Sequence, residues 1–84
     1  MSNKYTVEDL IEFIETGREI EFTYNNNRFS ITYYSEGSEN EISFTQFYKE
    51  PKDYKNVEDF LKKGSWQGEL IINIWMEATN VDIF

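Results

Sequence analysis

Nearly every side chain here that could do chemistry is a carboxylate. The 84 residues hold sixteen Asp and Glu, eight Lys and Arg, no histidine and no cysteine. Without His or Cys there is no Ser–His or Cys–His nucleophile pair and no zinc site of ordinary composition. The four glycines are scattered, so no phosphate-cradling loop forms. A glycosidase-type carboxylate pair would need a deep sugar cleft, which a chain of this length seldom builds. The three glutamates in S-E-G-S-E-N-E (Ser35–Glu41) do not match the spacing of a calcium loop and read as a solvated turn. The inventory predicts a protein that is not an enzyme and needs no cofactor and no metal.

What remains is binding. Glu8, Glu12 and Glu15 fall at i, i+4 and i+7, with Glu19 just beyond. On a helix such neighbours lie about 5–6 Å apart at Cβ, close to the spacing of successive phosphates. None of the three has a Lys or Arg four residues on to pair with. The ordinary alternative is a solvated helix face. A second candidate set is aromatic: Tyr48, Tyr54 and Trp66 lie in and around the basic linker Lys49–Lys55, as interface anchors or as the lid of a core. A third is the polar side of a sheet: Glu21, Thr23, Ser30, Thr32, Tyr34, Ser43 and Thr45, or simply a solvated face.

The net charge of −8 is large for this size. It disfavours direct contact with nucleic acid or an anionic membrane and favours a basic protein surface, such as that of a nucleic-acid-binding enzyme. There is no apolar signal segment at Met1–Asp9 and no apolar run of membrane-spanning length, so the expectation is a cytoplasmic protein. It would be a monomer or a homodimer.

The elements that must position these residues follow from periodicity. One domain is expected, with its core supplied by seven Phe, six Tyr and two Trp. T-V-E-D-L-I-E-F (Thr6–Phe13) and N-V-E-D-F-L-K-K (Asn56–Lys63) nearly repeat. Each has an N-cap, an acid three residues on, an apolar face and a terminating glycine, Gly17 or Gly64. The repeat is shared helix punctuation. Between the two, the apolar period becomes two. Ile20, Phe22 and Tyr24, then Phe29, Ile31 and Tyr33, then Ile42 and Phe44 mark three strands. A two-residue loop at Asn25-Asn26 pairs Phe22 with Phe29 and Ile20 with Ile31, keeping apolar groups on one side. Lys49–Lys55, broken by Pro51, reads as a charged linker. Leu70–Ala78 fits a helix or a strand, with a lean to helix, and Val81–Phe84 is expected to fold back. The fold class is therefore α+β: an N-terminal helix, a three-stranded antiparallel meander, a second helix, then a C-terminal helix or strand.

Three stretches carry a resemblance: G-R-E-I-E-F-T-Y-N-N-N-R-F-S-I-T, F-T-Q-F-Y-K-E and V-E-D-F-L-K-K-G-S-W-Q-G-E-L. Together they look like small uncharacterised acidic proteins of Gram-positive bacteria and their phages. That resemblance transfers no functional residue. It implies only that a phage-type inhibitor, many of which are small, acidic and histidine-poor, is more to be expected; with the acidic helix, the expected target is a host nucleic-acid enzyme such as a CRISPR effector.

Overall fold

The first helix begins and ends as its sequence dictates. In a computed structural model, which describes residues 3–36 and 39–84, α1 runs from Val7 to Glu15. Thr6 Oγ1 accepts from the Asp9 amide at 3.1 Å and the Asp9 carboxylate accepts from the Thr6 amide at 2.9 Å, a complete capping box. At the other end Gly17, at φ +76°, donates to the Ile14 carbonyl while Arg18 donates to Phe13. That is a Schellman stop, and it needs a left-handed residue.

The chain then enters β1 (Ile20–Tyr24), turns, and returns as β2 (Asn27–Glu36) and β3 (Glu39–Gln46). Asn25 and Asn26 both have positive φ, 51° and 64°, so the connection is the expected two-residue turn. Ile20 pairs with Ile31 and Phe22 with Phe29, the register that hydrophobic alternation requires. The second turn, expected at Ser35–Asn40, falls partly outside the described residues.

The strand count departs from expectation. Among the described residues the main sheet has five strands in the order β4-β3-β2-β1-β7, every ladder antiparallel. Residues taken for a charged linker include β4 (Lys52–Tyr54), an edge strand on β3. An edge strand needs little apolar surface: Lys52 and Asp53 are exposed and Tyr54 alone turns inward. Next come α2 (Val57–Lys63), a hairpin of β5 (Ser65–Trp66) and β6 (Glu69–Leu70), and α3 (Ile71–Glu77). The last strand, β7 (Thr79–Ile83), closes the opposite edge against β1. The C-terminal region is thus both helix and strand.

All three helices cover one side of the sheet. Leu10 and Ile14 of α1, Phe60 of α2, and Ile71, Ile74 and Trp75 of α3 are buried against Ile20, Phe22, Phe29, Ile31, Ile42 and Phe44. Phe22, Phe29 and Phe44 stack in a row across three strands, with neighbouring centroids 5.4 and 5.6 Å apart. Burying each such ring contributes about 1.5–3 kcal/mol.

Gly64 corrects another expectation. It does end α2, yet its φ is −59°, not left-handed. A Cβ there would lie 2.6 Å from the Phe60 carbonyl oxygen and 2.9 Å from two Phe60 ring carbons. Glycine is required by close approach, since Gly64 sits buried against the ring it would strike. Gly64→Ala is expected to cost about 1–3 kcal/mol, the usual cost of overpacking, read as a lower urea midpoint at unchanged m-value. An unshifted midpoint would mean that the last turn of α2 and the Phe60 ring both shift at no cost.

Candidate functional site

The near-repeat of α1 and α2 makes the acid row measurable against an internal control. In α2 the Glu58 carboxylate meets Lys62 at 2.9 Å and Asp59 meets Lys63 at 3.1 Å, both i, i+4 pairs. Glu58 holds the Lys62 ammonium above its ordinary pKa. The Lys55 backbone N–H, and then Lys63, hold the Asp59 carboxyl below its ordinary value. The position matching Lys62 in α1 is Glu12, so Glu8 faces a like charge where Glu58 faces a cation.

Glu8, Glu12, Glu15 and Glu19 are all exposed, and among the described residues none of the ion pairs includes any of them. Along α1 the first three span about 10 Å at 1.5 Å per residue, in a stripe opposite the buried Leu10 and Ile14. Glu15 and Glu58 line an open cleft of about 430 Å³, floored by Tyr33 and Val57.

The aromatic candidates do not form one site. Tyr54 is half-buried on Phe60, 5.2 Å between centroids, and burial pushes its phenol pKa up. Trp66 packs edge-on to Phe29 at 5.2 Å and donates its indole N–H to Gln46 Oε1 at 2.9 Å. Both therefore belong to the lid of the core. Tyr34 is 54% exposed on the open side of the sheet, opposite Glu41 in the strand register and away from the helices. Tyr48, at the turn after β3, is 99% exposed. Tyr34 and Tyr48 lie toward opposite ends of β2 and β3, since Tyr34 pairs with Glu41 and Phe29 with Gln46, five residues apart along the strands.

The open face holds the expected hydroxyl residues. Register sets Ser30 opposite Thr45 and Thr32 opposite Ser43. Its most connected side chain, Arg28, was missed in sequence because nothing local marks it. Arg28 donates to Thr23 Oγ1 at 3.1 Å, to the Asn80 carbonyl at 2.6 Å and to the Asp82 carboxylate at 2.6 Å, with Glu21 at 3.7 Å. Asn80 has φ +49° at a bulge in β7, where two residues of β1 span three of β7. Arg28 thus staples the last strand to the sheet, which accounts for the cluster structurally.

Among the described residues no group of three acids is placed to hold a metal ion, and no helix is long and apolar enough to cross a membrane. The geometry defines a small α+β domain with an uncompensated acidic helix on one side and a hydroxyl-rich sheet on the other. No family model, curated protein or solved structure matches the chain.

Proposed function

We propose that the chain is a non-catalytic protein-binding module whose α1 carboxylates occupy a basic, nucleic-acid-binding surface of a host protein. One observation carries this reading: α2 pairs Glu58 with Lys62, whereas its α1 counterpart Glu8 faces Glu12, and Glu8, Glu12 and Glu15 are exposed and outside every ion pair among the described residues. Unpaired like charges at i, i+4 cost a helix a few tenths of a kcal/mol, so stability alone would favour the α2 arrangement. A rigid row of carboxylates at near-phosphate spacing suits arginines and lysines arranged to hold a nucleic-acid strand. Blocking such a surface is how a phage-type inhibitor of a nucleic-acid enzyme, a CRISPR effector for instance, would act.

The test is affinity capture from a bacterial lysate, comparing the parent chain with the triple change Glu8→Gln, Glu12→Gln and Glu15→Gln. Basic proteins are expected on the parent, released as salt rises from about 0.05 to 0.5 M while the Debye length contracts. They should be missing from the triple variant, and added nucleic acid should compete with them. Capture that ignores both salt and the triple change would refute the proposal.

A further inference from the structure

The cleft at the end of α1 is lined from three directions: Glu15 closes α1, Tyr33 comes from β2, and Asn56, Val57 and Glu58 open α2. Tyr33 and Val57 are half-buried, rooted in the core yet still open to the cleft. Asn56 and both glutamates are exposed. A cation gains from an aromatic floor and from carboxylate walls at once.

The backbone points the same way. The C-terminal end of a helix is negative and ordinarily attracts basic side chains. Helix α2 obeys, with Lys62 and Lys63 in its last turn, whereas α1 has no base there and ends on Glu15. Among the described residues Glu15 enters none of the ion pairs. Glu58 holds Lys62 through Oε1 at 2.9 Å, which leaves Oε2 to accept from a newcomer. A guanidinium suits the cleft better than an ammonium, because it is planar, stacks on aromatic rings and forks to carboxylates through several N–H groups. At about 430 Å³ there is room for one such side chain. We infer that this cleft receives an arginine side chain of the basic protein partner, held between Glu15 and Glu58 over Tyr33. The inference rests on the α1 reading for the kind of partner and adds the group that is recognised.

Titrating the isotope-labelled chain with the acetylated, amidated tripeptide Gly-Arg-Gly, followed by NMR, tests the cleft apart from the lysate capture. Saturable shifts are expected at Tyr33, Asn56, Val57 and Glu58 with a dissociation constant on the order of 1 mM, and Gly-Lys-Gly should bind about threefold more weakly. Glu15→Gln should weaken the arginine peptide about fivefold. Lys62→Gln should tighten it about twofold by freeing Glu58. Lys63→Gln changes the net charge equally but frees Asp59 instead, and should leave the affinity as it was. Tyr33→Leu should erase the preference for arginine over lysine; if that variant does not fold, Glu15→Gln and the two lysine variants decide. Absence of saturable shifts in the cleft at roughly 20 mM peptide, or a Glu15→Gln variant that binds as the parent does, overturns the inference. Capture that fails while the tripeptide binds in this pattern would count against the α1 row and not against the cleft.

Discussion

Trp75→Ala is expected to bring the chain close to unfolding. Trp75 is fully buried, meets Phe22 edge-on at 5.8 Å and donates its indole N–H to the Thr6 carbonyl at 2.9 Å. One side chain thus ties α3 to the sheet and to the N-cap of α1. Removing a buried tryptophan costs about 3–5 kcal/mol, against a total of about 4–13 kcal/mol for a domain of this length. The melting temperature should fall by something on the order of 20 °C, followed by circular dichroism. Trp75→Phe separates the contributions. It keeps most of the apolar contact and drops the donor, and the Thr6 carbonyl still accepts from the Leu10 amide at 3.1 Å. Its cost should therefore be well below that of alanine. A melting temperature for Trp75→Ala within about 3 °C of the parent would mean that α3 is not docked on the core.

That dependence on α3 explains which parts of the fold sequence could reveal. The meander was legible because its register is set locally: two asparagines accept positive φ, and a one-residue slip would put Ser30 opposite Phe22. Helix punctuation was legible at Thr6, Asn56 and Gly17 for the same reason. Strands β4 and β7 were not, since their stability comes from the sheet edges they join. Lys52-Asp53-Tyr54 presents a single inward side chain, and Thr79–Ile83 includes Asn80 and Asp82, poor strand formers that Arg28 holds from across the sheet. Gly64 ends α2 as expected, but its constraint is the carbonyl and ring of a residue four positions earlier, a steric fact invisible in a spacing rule. The candidate site divides in the same way. Helical period put Glu8, Glu12 and Glu15 on one exposed stripe. Whether Tyr48, Tyr54 and Trp66 were lid or exposed anchor depended on tertiary packing, which sorted two into the lid and left Tyr48 exposed.

Glu12→Lys should strengthen the fold and abolish the proposed binding, a combination that tests the central reading more sharply than charge removal. The substitution copies into α1 the arrangement α2 already has, where Glu58 and Lys62 pair at 2.9 Å. It exchanges a repulsive Glu8–Glu12 pair for an attractive one, a gain of about 0.5–1 kcal/mol when both changes are counted. Glu12 is exposed and donates no side-chain contact to the core, so the change has no packing cost. Against a basic surface the same change swings the middle of the row by two charges. Affinity for the captured partner should drop on the order of 100-fold at low salt, and the gap should narrow as salt screens the parent's advantage. A deca-arginine peptide serves as a defined probe alongside that partner. Higher stability with unchanged affinity would reduce the row to a solvated helix face. Lower stability would mean that the α1 acids are already compensated by charges elsewhere on the protein. Only a rise in stability coupled to a loss of affinity fits a chain that leaves its first helix unpaired in order to bind.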